Sequence, residues 1–323
     1  MDTEAVASQL LRALRGSRSQ IAVSRRLGYR SNVCHAWETG AAYPTAARAF
    51  QVAARLGVDP AAAVARFYGR RPEWLDQHAI TSRAGVAAFL RDLRGRQPLV
   101  AVAEASGHNR YALARWYKGQ AEPRLPDFLG LVEATSLRLL DLLGALVELD
   151  ALPAVAEAGR RLRAARRIAQ EAPWSHAVLR ALELAGYAAL PRHQPGWIAA
   201  RVGIAPAEEE RCLRSLAAAG QIVWEAERWR PRAVATLDLR HDAEATKELA
   251  CWCAGLGAAR LGAGGPGAFA FNVFTVSAAD LERLRQLQRD HFGQLRALVA
   301  ESQPAERLAV VNLHLFELGG EEG

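Results

Sequence analysis

The chain has 323 residues, half of them apolar, and a formal net charge of +7. That length has room for two to four small domains, and its Ala, Leu and Arg content suits a helical globular protein rather than a disordered one. No apolar run reaches about eighteen residues, Met1-Asp2-Thr3-Glu4 lacks a signal-peptide signature, and four cysteines do not make a disulfide framework, so a cytoplasmic protein without membrane contact is expected.

The charge is unevenly distributed. Residues 1–95 hold 14 Arg/Lys against 7 Asp/Glu, residues 96–173 hold 11 against 9, and residues 174–323 hold 16 against 18. Positive potential therefore gathers at the N-terminal end, the distribution that phosphate binding requires.

Residues 5–15 read as a first helix stopped by Gly16, 19–27 as a second stopped by Gly28, and 31–39 as a third ending at Gly40. Pro44-Thr45 opens a fourth helix through Leu56, and Asp59-Pro60 starts a fifth. The stretch 68–82, with Pro72 and adjacent arginines, reads as a connector. The pattern then returns 79 residues later. Leu11-Arg-x-Leu14-Arg15-Gly16 is answered by Leu90-Arg-x-Leu93-Arg94-Gly95, Gly28 by Gly107, Trp37-Glu38-x-Gly40 by Trp116-Tyr117-x-Gly119, and Pro44 by Pro123. A basic helix over 154–171 follows, suited equally to a phosphate backbone or to solvent.

Residues 174–232 read as a winged helix: helices at 174–190, 196–202 and 206–219, then strands 221–225 and 228–230 forming the wing. The remainder mixes periods, with a helix at 242–254, a Gly-rich loop at 255–267, a strand at 270–276, a helix at 278–300 N-capped by Ser277, and a strand at 308–318. The expected fold class is thus mainly α, with a small α+β C-terminal domain. Domain boundaries are expected at 1–68, 84–150, 151–173 (the basic linker helix), 174–236 and 237–323.

The first copy, across about residues 8–66, resembles the Xre/Cro-like helix-turn-helix regulators through Ser19-Gln20, the Gly28 turn, Trp37-Glu38-x-Gly40 and Pro44. The resemblance implies tandem five-helix units that bind double-stranded DNA. It places Arg30, Ser31, Asn32 and Val33 at the N-terminal end of a major-groove recognition helix, with His35 and Ala36 on its exposed side. It also gives Gln20 a hydrogen bond to the DNA backbone, makes Cys34 and Trp37 core, and pairs Arg15 with Glu38. An N-terminal helix end turns N–H groups and positive dipole towards phosphate, while Asn and Arg side chains read base edges. The copy departs from the pattern in a shorter first loop and in Ser24, which stands where a small Ala is usual.

The second copy matches less well. Gln97-Pro98 replaces the Ser-Gln pair, and Tyr117 replaces the glutamate, leaving Arg94 without that partner. Asn109 suits an N-cap, and Arg110, Tyr111, Arg115 and Lys118 would lie on or just beyond the exposed helix face. Reading DNA and packing as a pseudo-symmetric mate both remain open for it. In the winged helix, Glu208, Glu209 and Glu210 open the helix that would face phosphates, which favours packing or dimerisation over DNA contact.

Across 174–318 the chain is similar to a poorly characterised family of bacterial regulators whose C-terminal domain has no established mechanism. The matching residues are Trp174-Ser-His176, Pro195-Gly-Trp197-Ile-Ala-x-Arg201-Val-Gly203-Ile, Val276-Ser277 and Asn312-Leu-His314-Leu-Phe316. The apolar stripe Leu281, Leu284, Leu287, Phe292, Leu295, Leu298 and Val299 on one helix face suits either core or a homodimer interface.

Catalytic and cofactor chemistry is not expected. Cys251 and Cys253, two residues apart on a helix, do not share a face for a metal. The Gly-rich stretch lacks Gly-Lys-Ser/Thr. His176, His193, His291 and His314 are scattered. The expected function is a sequence-specific, repressor-type DNA-binding transcriptional regulator that acts as a homodimer, with an unknown ligand or protein partner at the C-terminal domain. The alternative is a protein-interaction adaptor, or antitoxin-like component, whose repeats dock other proteins.

Overall fold

The computed structural model describes residues 2–95, 97–232 and 243–318. They form two compact units, residues 2–164 and residues 165–232 with 244–318. The chain is mainly helical, and no helix among the described residues is long and apolar enough to cross a membrane.

In the first unit, α1 (Thr3–Arg15) starts on the Asp2 carboxylate, which accepts the N–H groups of Glu4 and Ala5. It buries Val6, Leu10 and Leu14, a stripe with four-residue spacing, and stops at Gly16. Ser19 caps α2 (Gln20–Arg26), Asn32 caps α3 (Val33–Glu38), Thr45 caps α4 (Ala46–Arg55) and Asp59 caps α5 (Pro60–Tyr68). Each cap satisfies N–H groups that have no partner inside the helix.

The expected connector contains a one-turn helix, α6 (Trp74–Gln77), because Leu75 and Ile80 are buried. A second series follows: α7 (Arg83–Arg94), α8 (Leu99–Ser106), α9 (Arg110–Tyr117), α10 (Leu125–Ser136) and α11 (Leu139–Leu146). The two series correspond helix by helix at the offset read from the sequence, except that α9 starts earlier than α3 would require. A 3-10 turn at Leu149–Ala151 leads to α12 (Pro153–Glu171), whose arginines pair with Asp150 and Glu157.

The two series share one core instead of forming separate domains. Thr45 and its equivalent Arg124 make an antiparallel bridge. Ala46 N–H donates to the Pro123 carbonyl at 3.0 Å, and Leu125 N–H donates to the Pro44 carbonyl at 2.9 Å. Exchanging the two copies exchanges these two bonds. The same exchange maps the α1–α10 packing onto α7–α4, and it maps the α5–α11 pair onto itself. Arg66 even donates to the carbonyl of Ala145, its own equivalent, at 2.5 Å. Like surfaces meeting like surfaces define an isologous, two-fold arrangement, which a head-to-tail repeat would not produce. Phe50, Phe128, Phe89 and Phe67 run through this interface with successive ring centroids 5.5–5.7 Å apart.

In the second unit, the expected helix over 174–190 is broken into α13 (Ser175–Ala181) and α14 (Ala185–Ala188). Leu184 is extended between them, and the break lets Leu184 and Tyr187 both turn inward. Next come α15 (Ala199–Val202), α16 (Pro206–Ala218) and a hairpin, β1 (Ile222–Glu225) with β2 (Arg228–Pro231), in which Trp224 faces Trp229.

Helix α17 (Ala243–Gly262) continues through most of the expected Gly-rich loop. Each interior Gly costs roughly 1 kcal/mol relative to Ala, a cost to which the strong helix formers around them, Ala254, Leu256, Ala258 and Ala259, add little. Helix α18 (Ala278–Glu301) begins at the expected Ser277 cap.

The expected α+β character of 237–323 is corrected: among the described residues the β1–β2 hairpin is the sheet, and 270–276 and 308–318 join no ladder. Alternation supplies an apolar face, but a strand also needs a backbone partner. The segment near 312 is held instead by side chains. Asn312 Nδ2 donates to the Cys253 carbonyl, Gln288 Nε2 donates to the Leu313 carbonyl, and Arg285 pairs with Glu317. Phe271 is 96% exposed.

Candidate nucleic-acid interface

The candidate surface is carried by α2, the turn after it and α3. Gly28 turns the chain at φ +86°, a conformation that side chains beyond glycine rarely adopt. The following helix is fixed from below. Ser24, buried where a smaller residue was expected, accepts the Cys34 N–H at 3.2 Å and donates to Asn32 Oδ1 at 3.3 Å. Its hydroxyl thus satisfies the start of α3, which an alanine would not do. Trp37 is buried edge-on against Tyr29, with 5.7 Å between ring centroids. Arg48 reinforces the turn by donating to Tyr29 Oη and to the Leu27 carbonyl.

Glu38, with a side chain only 2% exposed, holds α3 to α1 and α2. Arg15 donates to both carboxylate oxygens, at 2.5 and 2.9 Å, Gln20 Nε2 donates at 2.9 Å, and Arg12 lies 3.5 Å away. Burial pushes the Glu38 carboxyl up, but the bonds from Arg15 and Gln20 and the charges of Arg15 and Arg12 outweigh it and leave the group below the usual carboxylate range. The Arg15 guanidinium is raised, chiefly by the same hydrogen bond.

The expected site residues fall into two groups. Arg30, Ser31 and His35 are exposed around the start of α3. Asn32 is exposed but its Oδ1 is used as the α3 cap, accepting the His35 N–H. Val33 is half-buried, and Gln20 is half-buried and bonded to Glu38.

In the second copy, Asn109 caps α9 by accepting the Tyr111 N–H at 2.8 Å. Arg110, Tyr111, Arg115 and Lys118 are exposed, Tyr111 to 78%. Pro98 starts α8 without a side-chain cap. Arg94 does have a replacement partner: its guanidinium lies over the Tyr117 ring, 4.8 Å from the centroid. Burial raises the Tyr117 phenol, and Arg94 partly counters it.

The acidic start of α16 is less exposed than its sequence implies. Glu209 is buried, accepting the N–H groups of Ala199 at 2.6 Å and Gly196 at 3.3 Å. Glu208 accepts the Ala205 N–H, leaving Glu210 to Arg214. His193 has partners the sequence did not reveal, Tyr187 Oη at 3.0 Å and Glu209 at 3.8 Å. Burial lowers its pKa more than Glu209 raises it. Cys251 is exposed and Cys253 half-buried, and no group of three metal-ligating side chains gathers among the described residues.

Residues 156–318, half of the chain, match the family model described as Domain of unknown function (DUF4423). No curated protein and no solved structure matches the chain.

Proposed function

The chain belongs to the DUF4423 family, and from that premise we propose that it is a sequence-specific, double-stranded-DNA-binding transcriptional regulator. The observation that carries this reading is the exposed start of α3: Arg30, Ser31 and His35 stand free on a helix locked by Trp37 and Glu38. A rigid helix end carrying an exposed arginine suits the major groove. Arg30, Ser31 and His35 read base edges, Asn32 sets the helix start, and Arg25 and Arg26 face phosphate. The Xre/Cro-like resemblance of the first copy points the same way.

The two-fold relation between the copies gives α3 and α9 inverted orientations within one polypeptide. Where both helices engage one duplex, the operator is an inverted pair of unequal half-sites with centres one helical turn, about 34 Å, or a multiple of it apart. Unit two supplies oligomerisation: Leu287, Leu298 and Val299 of the α18 stripe are exposed and suit a second copy.

The test is selection of bound duplexes from a random library by the full chain, with affinity followed against salt. Enrichment of inverted, unequal half-sites and a steep salt dependence are expected. A flat salt response with no enrichment rejects the reading. A second reading, docking of a protein, is favoured at one place: the second copy exposes Tyr111 where the first has Asn32, an apolar ring that a phosphate backbone would not need.

A further inference from the structure

The repeat is asymmetric at one place where asymmetry creates space. In the first copy, Tyr43 lies over the groove between α1 and the end of α3. Its hydroxyl donates to the Glu4 carbonyl and sits 3.0 Å from where a Cβ on Gly40 would stand. The equivalent of Tyr43 is Glu122, which turns the other way and accepts the Ala47 N–H at 2.6 Å, at the start of α4. The second copy therefore has no lid. Around Gly119, the equivalent of Gly40, a hypothetical Cβ meets only Ala87. What remains is an open cavity of about 590 Å³ lined by His78, Arg83, Ala87, Arg91, Lys118 and Gly119.

Its charge has changed along with its shape. The first copy has Glu4, Arg12 and Thr39 where the second has Arg83, Arg91 and Lys118. One carboxylate and one cation have become three cations. Among the described residues no carboxylate pairs with any of the three. Arg12 leans on Glu38, but Arg91 finds Tyr117 at the equivalent place and donates to its carbonyl at 2.6 Å. That contact orients Arg91 without neutralising it. The cavity also takes in the first turn of α7, where the N–H groups of Arg83 and Ala84 lie outside the helix's own bonding pattern.

We propose that this cavity binds a small phosphorylated molecule, up to nucleotide size, through Arg83, Arg91 and Lys118. The volume falls in the range of small-ligand sites. Three unpaired cations beside a helix N-terminus favour an anion with more than one charge over a carboxylate. The other source of the same chemistry is a backbone phosphate of DNA, which the test separates from a free ligand.

The probe is pyrophosphate, titrated calorimetrically into the full chain in a low-salt chloride buffer. Saturable one-to-one binding is expected. Arg83→Glu and Lys118→Thr install residues that the first copy already carries at equivalent positions, and each should weaken binding at least tenfold. Glu122→Tyr keeps every cation but restores the lid, and should abolish binding in a chain whose helical circular dichroism is unchanged. Arg30→Ala, at the proposed reader, should leave pyrophosphate binding intact. The inference is overturned if pyrophosphate does not saturate, or if Arg83→Glu and Lys118→Thr leave its affinity unaltered. It is equally overturned if those two variants weaken duplex binding while the native chain ignores pyrophosphate, since the cations then belong to a DNA contact.

Discussion

Replacing Glu38 by Gln tests the pivot on which α3 rests. The substitution keeps the volume but removes the charge and turns one acceptor into an amide donor. Arg15 and Gln20 both donate to this carboxylate, so at least one donor loses its acceptor. Breaking a buried ion pair from one side costs about 3–5 kcal/mol. Arg15 keeps 17% exposure and Arg12 is mostly in solvent, so the expected loss lies at the lower end, about 3 kcal/mol. With a urea dependence of about 2 kcal/mol per molar, the denaturation midpoint should fall by roughly 1.5 M. The double variant Arg15→Met, Glu38→Leu should recover most of this, because no charge is left uncompensated. The pH dependence has a fixed sign. The folded carboxyl titrates below its ordinary 4.5, so its contribution is complete above 4.5 and is lost as pH falls through the folded value. Glu38→Gln should flatten that acid limb. A loss under about 1 kcal/mol, or an unchanged acid limb, would refute the claim that this pair locks the helix.

Four further outcomes follow from the same contacts. Arg30→Ala should reduce discrimination between duplexes by about 1–3 kcal/mol while leaving thermal stability unchanged, as competition anisotropy and calorimetry would show. Asn32→Ala should instead cost about 1 kcal/mol of stability, since its oxygen caps α3, and the melting temperature reports it. Phe128→Ala removes the ring shared by both copies and should cost about 3–5 kcal/mol, with both halves of unit one unfolding in a single transition by hydrogen exchange; separate transitions would argue against a common core. In unit two, His193 and His176 both have folded pKa values below the ordinary 6.5, chiefly through burial, so acidification through 6.5 should destabilise a His193→Gln variant less than the native chain, the remainder belonging to His176, read as a denaturation midpoint against pH.

The sequence displayed the two copies because glycines, tryptophans and prolines punctuate local structure and so repeat at a fixed offset. It could not display how the copies meet. Which surfaces face each other depends on residues such as Thr45 and Arg124, whose role exists only after both chains of helices are folded. The same distinction runs through the candidate site. The Arg15–Glu38 pair matched the resemblance, whereas Gln20, assigned to a DNA phosphate, is bonded to Glu38. Asn32, expected at the base-reading end of α3, also caps that helix, because an Asn before a helix serves as a cap, as Asn109 does for α9. Glu209 looked like a surface charge because sequence shows that a carboxylate opens α16 but not that Gly196 and Ala199 offer N–H groups above it. The segments 270–276 and 308–318 show the limit of periodicity: alternation specifies a face, and only a partner makes a ladder.

The two-fold pairing within one chain also explains how the copies can differ so much. In a dimer of identical subunits every substitution appears twice, once on each side of the axis. Here a change on one side leaves its mate untouched. Glu38 can hold an ion pair while Tyr117 holds a stacked arginine, and each solution needs to fit only one copy. Tyr43 can fill one groove while Glu122 leaves the other and secures α4 of the opposite copy. That last bond gives the asymmetry an energetic link across the axis. A ligand entering the open groove would press on Gly119 and the end of α9, next to the Glu122 segment that also ends on α4. Occupancy of the groove and the placement of the two exposed helices are therefore mechanically adjacent, through residues that an identical pair could not have varied independently.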